Sequence, residues 1–163
     1  MISNDLKWNA HVEMICKKVA ARLYFLGQLK RVKVPTNDLR SFYTTCIGPV
    51  AEYACPVFHT ALPQYLSDQL ERLQKLALRI ISTNDLSYRQ ALGVFNMPTL
   101  YDRREAIGNL LFQGISNNNN HKLYPLRPPP YLGTLRTRKN REFQVSRFKT
   151  NRFRDSVIVS HCR

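Results

Sequence analysis

The chain has 163 residues, 44% of them hydrophobic, and a formal net charge of +14 at pH 7. This length predicts one domain, or one small domain with a tail, and the apolar fraction is sufficient for a core. The excess of Lys and Arg makes polyanions the expected partners, with nucleic acid first and an anionic membrane second. No apolar run approaches the ~20 residues that span a bilayer and no signal peptide is evident, so we expect an intracellular protein, cytoplasmic or nuclear and not secreted.

The N-terminal third of the chain shows helical periodicity interrupted by proline. Apolar residues recur at helical spacing over Leu6–Lys30 and predict the first helix. A second helix is predicted to begin at Thr36, and Gly48-Pro49 must kink or split it because proline removes an amide donor. Residues 50–58 are almost wholly apolar, which predicts a buried helical segment, although a buried strand also fits this pattern.

The clearest helical pattern lies between residues 64 and 81. Apolar side chains step by three and four along one side, and cationic side chains do so on the nearly opposite side. The apolar positions are Leu66, Leu70, Leu73, Ala77 and Ile80, and the cationic ones are Arg72, Lys75 and Arg79. The cationic face is either a solvated surface or a surface that contacts phosphates.

Two further helices are predicted from their capping residues. Ser87 followed three residues later by Gln90 forms the pattern of a capping box, and residues 96–98 end that helix. Thr99 is predicted to cap a fifth helix. Its first turns contain Arg103-Arg104, which is unfavourable beside the positive end of the helix dipole, so these arginines are expected to serve something other than helix stability.

The last third of the chain differs in composition. Residues 1–115 carry 14 Lys and Arg against 9 Asp and Glu, whereas residues 116–163 carry 11 against 2. Asn117–Asn120 has the composition of a linker, and Pro125–Pro130 favours an extended polyproline segment. We therefore predict a mostly α-helical bundle over residues 1–115 and an irregular basic tail over residues 116–163. The tail is either a solvated segment or a phosphate-binding arm.

Sequence motifs for catalysis are absent. There is no glycine-rich phosphate loop, no nucleophile motif and no adjacent pair of aspartates for two-metal chemistry. We therefore expect no enzymatic activity and no cofactor. The four cysteines are expected to be reduced thiols; Cys55 and His59 have a spacing that some zinc sites use, but the required second pair is missing.

Several blocks along the chain match the motifs of one family. Residues 3–12 resemble s-x-d-L-x-W-x-x-H-I/V, residues 70–81 resemble L-E-x-x-Q-K-R-A-L-R-I-I, and residues 97–104 resemble L-P-S-L-x-x-R-R. Further blocks are residues 21–31, residues 149–156 with T-x-R-F-x-x-S, and residues 42–58, where the family shows R-P-V-L-E-Y-x-x-x-V-W. The departures from these patterns are Gly48, Ala51, Phe58 and Leu76.

In this order the blocks resemble the thumb and post-thumb region of LINE-type non-LTR retrotransposon reverse transcriptases, of the jockey-like group. The resemblance implies a helical thumb-like domain and a polymerase whose catalytic aspartates lie upstream of Met1. The expected function is then a non-catalytic, nucleic-acid-binding fragment of an RNA-directed DNA polymerase that contacts primer–template phosphates without sequence specificity. The alternative is an inert or structural remnant of a decayed retroelement.

Cations on the predicted third and fifth helices and in the tail are the expected contacts with RNA or DNA. They are Arg72, Lys75, Arg79, Arg103, Arg104, Arg136, Arg138, Lys139, Arg141, Arg147, Lys149, Arg152 and Arg154. We expect no membrane partner and no small-molecule substrate. A basic peripheral membrane protein is a weaker hypothesis, since the apolar stripes occur on several helices that can pack together.

Overall fold

The computed structural model describes residues 8–82, 86–131, 143–145 and 147–162. The protein is mostly helical and the described residues contain no strand, which confirms the predicted fold class. The helices are α1 (Asn9–Arg31), α2 (Thr36–Phe42), α3 (Gly48–Ala51), α4 (Cys55–Phe58), α5 (Gln64–Ile81), α6 (Tyr88–Val94), α7 (Leu100–Asn117), α8 (Asn151–Arg154) and α9 (Val157–His161). A π-helical turn spans Tyr43–Ile47, and 3₁₀ turns span His59–Ala61 and Tyr124–Leu126.

The contacts divide the chain into two compact units. Unit 1 comprises Met1–Tyr53 and Leu62–Arg103, and unit 2 comprises Ala54–Ala61 and Arg104–Arg163, in each case as far as the structure describes them. The predicted boundary between residues 115 and 116 falls inside unit 2. That boundary, as a division between a folded domain and a tail, stays a prediction.

In unit 1, α1 packs against α5. The predicted apolar stripe of α1 is buried, and the Lys30 ammonium donates hydrogen bonds to the carbonyl oxygens of Ile81 (3.0 Å) and Ser82 (3.4 Å), which satisfies the carboxyl end of α5. The buried face of α5 is rotated from the predicted one. Gln74, Leu78 and Ile81 are buried, whereas Leu73 and Ile80 are only half-buried. At ~100° per residue the difference is roughly 60° around the helix.

The predicted break at Gly48-Pro49 takes the form of a π-helical turn. Because Pro49 has no amide hydrogen, the ordinary helical ladder cannot continue through it, and the preceding turn, Tyr43–Ile47, is widened. The apolar segment beyond it forms two short helices, α3 and α4, rather than one. Between them Ala54 adopts a left-handed conformation, with φ 58°, which ends the first helical turn and starts the second.

The two predicted capping patterns are confirmed. In α6 the Ser87 hydroxyl accepts from the Gln90 amide, and the Ser87 amide donates to Gln90 Oε1 at 3.0 Å. The helix ends at a left-handed Asn96, φ 47°, with the Met97 amide bonded to the Leu92 carbonyl. Thr99 Oγ1 then accepts from the Asp102 amide at 3.0 Å and opens α7.

Part of the basic tail belongs to the core of unit 2. Ile158, Val159 and Cys162 are buried, and α9 packs against α4 and the His59–Ala61 turn. The His161 ring stacks on Phe112 with their centroids 5.2 Å apart. The two short helices α8 and α9 were not predicted from the sequence; their apolar positions are too few to show a helical period.

Candidate nucleic-acid interface

Helix α5 carries a cationic stripe on the side opposite its packed face. Arg72, Lys75 and Arg79 are all exposed and lie within roughly 60° of one another around the helix. They extend over about 10 Å along its axis. No carboxylate among the described residues pairs with any of the three. The stripe is therefore a compact positive surface on a regular, packed helix.

One carboxylate lies in line with this stripe. Asp68 is exposed one helical turn before Arg72, and its Oδ1 accepts a hydrogen bond from Gln64 Nε2 at 2.8 Å. It reduces the local positive potential without pairing directly with a cation of the stripe. A second carboxylate of α5, that of Glu71, is occupied elsewhere.

Glu71 fixes the amino end of α7 within unit 1. Its carboxylate accepts from the amides of Leu100 (3.2 Å) and Tyr101 (3.1 Å) and from the Tyr88 hydroxyl. A carboxylate in this position satisfies amides that have no partner in the helix and complements its dipole. Burial, followed by the hydrogen bond to Glu71, raises the pKa of Tyr88, so its hydroxyl stays protonated and donating.

The two adjacent arginines of α7 are not equivalent. Arg103 is exposed and forms a two-pronged ion pair with Glu52. Arg104 is 0% exposed. Burial, and then the positive charge of Arg104, lower the pKa of His59 to about 4. Arg104 was predicted to contact nucleic acid. Its side chain is buried in unit 2 and is not available to a phosphate at the surface, so that prediction is wrong.

The cations of the tail fall into three groups. Arg136, Arg138, Lys139 and Arg141 lie outside the described residues, and so does the side chain of Arg152. Arg147 and Lys149 are exposed, and their contact with phosphates stays a prediction. Arg154 forms a two-pronged ion pair with the neighbouring Asp155, at 2.6 and 2.9 Å. Among the predicted contacts that the structure describes, Arg72, Lys75 and Arg79 lie together on one face of α5.

Unit 1 also contains a pocket that the sequence did not predict. Its volume is about 220 Å³, and its lining includes Arg40, Tyr43 and Glu52. The π-helical turn positions Tyr43, and the sequence signal for it was the Gly48-Pro49 break. Over the described part of the chain, no group of three His, Cys, Asp or Glu side chains could hold a metal ion, and Cys55 is simply buried in unit 2.

Comparison with known proteins gives one match to a family model. Residues 8–48 match the model described as alkylated DNA repair protein alkB homolog 8, N-terminal. The match covers about a quarter of the chain and comprises α1, α2 and the π-helical turn. No curated protein and no solved structure matches the chain. Of the helices that are described, none has the length and apolar character needed to cross a membrane.

This match contradicts the predicted relationship to reverse transcriptases. The family that matches is not a reverse transcriptase family, so the assignment to a LINE-type retrotransposon, and with it the predicted role as an RNA-directed DNA polymerase fragment or its decayed remnant, is withdrawn. The motif blocks have a structural explanation of their own. Residues 70–81 form the last two thirds of the amphipathic helix α5, and residues 97–104 cap and start α7, so packing and capping account for these residue types.

Proposed function

We propose that the chain binds duplex nucleic acid through its phosphates and without sequence preference, using the cationic stripe of α5. The observation that carries the proposal is the placement of Arg72, Lys75 and Arg79 on one exposed arc, with no described carboxylate pairing with them. The exposed cations Arg147 and Lys149 of the tail add to the same electrostatic attraction. The proposed role is binding without catalysis.

The geometry of the stripe supports phosphate contacts in particular. Each strand of a duplex carries one phosphate per ~3.4 Å of the helix axis, so a 10 Å stripe passes about three phosphates of one strand. Lys and Arg bonded to phosphates fix position on the duplex but carry no information about base sequence. The likeness of residues 8–48 to a family named for the repair of alkylated DNA supports the same class of partner.

A charge-matched pair of variants tests the proposal. The first replaces Arg72, Lys75 and Arg79 with alanine, which is a good helix former and should leave α5 intact. The second replaces Lys18, Arg31 and Arg89, which are exposed cations elsewhere in unit 1, and removes the same charge. We expect the α5 variant to bind a random-sequence duplex more than about tenfold more weakly at 0.1 M salt, and the control variant to lose much less.

Three results would overturn the proposal. One is equal binding by the wild-type chain and a folded α5 variant, as judged by circular dichroism and thermal melting. Another is an equal loss of duplex affinity in both variants, since binding would then depend only on net charge and not on the stripe of α5. The third is stronger binding to vesicles containing anionic phospholipid than to duplex at the same salt, since the partner would then be a membrane surface.

A further inference from the structure

The pocket of unit 1 is formed where the helical path is broken. The π-helical turn Tyr43–Ile47 and the Gly48–Ala51 helix make one wall, and the segment between α6 and α7 makes the other. Met97, Pro98 and Leu100 give that second wall an apolar character. A volume of about 220 Å³ is smaller than the ~300–1,000 Å³ of sites that enclose most of a drug-sized ligand, so this partly open pocket encloses only part of a ligand of that size.

Tyr43 places a hydroxyl in this pocket. The residue is only 4% exposed, and within the described residues its hydroxyl has no hydrogen-bond partner. A phenolic hydroxyl can both donate and accept, so this group is available to bond with an occupant of the pocket. Burial and then the charge of Glu52 raise the pKa of Tyr43, so the hydroxyl stays protonated and can donate.

Glu52 supplies an acceptor in the same pocket. Its side chain is 11% exposed and pairs with Arg103, the second contact being 3.2 Å between Arg103 Nη2 and Glu52 Oε2. A carboxylate has about four acceptor positions, and this ion pair uses two of them. A donor on Tyr43 and a remaining acceptor on Glu52 therefore lie in one small cavity.

Arg40 supplies a positive charge. It is half-buried in the last turn of α2, lines the pocket, and pairs with no carboxylate that the structure describes. A planar guanidinium presents several donors in a fork that matches the oxygens of a phosphate. Since Glu52 is balanced by Arg103, the pocket has a net positive charge.

From these groups we propose that the pocket binds a nucleoside monophosphate whose base carries an exocyclic amino group, adenine or cytosine. The base packs against Met97, Pro98 and Leu100, the Tyr43 hydroxyl donates to a ring nitrogen, Glu52 accepts from the amino group, and Arg40 binds the phosphate. Uracil presents a carbonyl oxygen where adenine and cytosine present the amino group, and that oxygen would face the Glu52 carboxylate. The pocket therefore discriminates against it.

Calorimetric titration of the full chain with AMP, CMP, UMP and adenosine tests this assignment. We expect AMP and CMP to bind about tenfold or more tightly than UMP, since one favourable hydrogen bond is replaced by a repulsion. Tyr43→Phe keeps the ring and should lower the affinity for AMP by about tenfold. Tyr24→Phe, at an exposed tyrosine of α1, should leave that affinity unchanged. Arg40→Ala should remove the advantage of AMP over adenosine.

Several results would overturn the inference. They are no AMP binding by the wild-type chain at millimolar concentration, equal affinity for AMP and UMP, or unchanged AMP affinity in both folded pocket variants. If Tyr43→Phe does not fold, Arg40→Ala still tests the inference, because Arg40 is only half-buried. If AMP binds but inorganic phosphate at the same concentration displaces it fully, the pocket is an anion site without base recognition and the inference also fails.

The nucleotide can be free or part of a strand, and a competition experiment separates the two sources. If the pocket takes a nucleotide within a single strand, an oligoadenylate should displace AMP and Tyr43→Phe should weaken the oligomer. If it takes a free nucleotide, the oligomer should not compete. Neither result depends on the α5 stripe, because the α5 variant should bind AMP like the wild-type chain. The experiments therefore distinguish an error in the nucleotide-binding inference from an error in the proposed duplex interface.

Discussion

Helices α5 and α7 each have 18 residues and each carry adjacent or closely spaced cations, yet those cations have opposite environments. On α5 the three cations are exposed and have no carboxylate partner within the described chain. On α7 one arginine is paired with Glu52 and the next is completely buried. The cations of α5 are therefore available to a partner, whereas those of α7 serve the fold.

The cause of the difference is the side of each helix on which its cations lie. In α5 the buried positions form one continuous stripe, so every cation is carried to the opposite side. In α7 the buried positions also lie on one side of the helix, but Arg104 occupies one of them, in line with Gly108 and Ile115. A basic residue is thus a candidate contact only when the packing of its helix leaves it outside.

The sharpest test of this contrast is Arg104 against Arg72. We expect Arg104→Ala to reduce the free energy of unfolding by roughly 2–5 kcal/mol, because a large buried side chain is removed from unit 2. Arg72→Ala should change it by less than about 0.5 kcal/mol, as for most exposed positions. Urea denaturation monitored by circular dichroism measures both. Similar stabilities for the two variants would contradict the contrast.

The position of the buried face of α5 can be tested next. Leu70 is 0% exposed, so Leu70→Ala should cost roughly 2–5 kcal/mol of the free energy of unfolding. Leu73 is only half-buried, so Leu73→Ala should cost clearly less. Thermal and urea denaturation of the two variants, which delete the same atoms, give the comparison. A larger loss of stability for Leu73→Ala would show that the buried face is the one predicted from the sequence. The position of the cationic stripe around α5 would then change by the same angle.

The burial of Arg104 also predicts a pH dependence through His59. The pKa of His59 falls from its ordinary 6.5 to about 4, by burial first and then by the charge of Arg104. As the pH drops from 6.5 to 4, the unfolded chain takes up a proton that the folded chain does not, so stability contributed by the neutral ring is lost over that interval. It is fully present above pH 6.5.

Melting temperatures measured between pH 7.5 and pH 4 check this dependence. His59→Asn should lose less stability across that range than the wild-type chain does. His11 also has a lowered pKa, mainly through burial, so some loss should remain in the variant. Parallel curves for the two proteins would show that His59 does not titrate as the structure requires.

The smallest expected effect concerns Asp68, in line with the stripe of α5. Asp68→Asn removes the negative charge one turn before Arg72 and keeps a side chain that can bond with Gln64. Duplex affinity should rise about two- to threefold at low salt and lose this gain at high salt, because exposed charges are screened. A fluorescence anisotropy titration at two salt concentrations detects it. No gain at low salt would argue that nucleic acid does not approach this side of α5.

Much of the fold follows from local patterns in the sequence. The start of α6 at Ser87 and of α7 after Thr99 were predictable because a capping residue acts within three positions of itself. The break near Pro49 was predictable for the same reason, but its π-helical form was not. The helices α8 and α9 are four and five residues long and are fixed by packing in unit 2, which no local pattern reveals.

The candidate sites were less predictable, because exposure depends on tertiary packing. Residue type and spacing identified Arg72, Lys75 and Arg79, since the period of α5 is clear. The same criteria included Arg104, which is buried, and omitted Arg40 and Tyr43, which only the folded chain brings to one pocket. The family resemblance rested on amphipathic and capping patterns that many helical proteins share.

The most direct test of the α5 interface is the salt dependence of duplex binding. The logarithm of the association constant should fall linearly with the logarithm of salt concentration, with a slope of about −0.9 for each phosphate neutralised. Replacing Arg72, Lys75 and Arg79 with alanine should make that slope shallower by up to about 2.7, whereas replacing Lys18, Arg31 and Arg89 should leave it nearly unchanged. Equal slopes for the wild-type chain and a folded α5 variant would contradict the proposed interface.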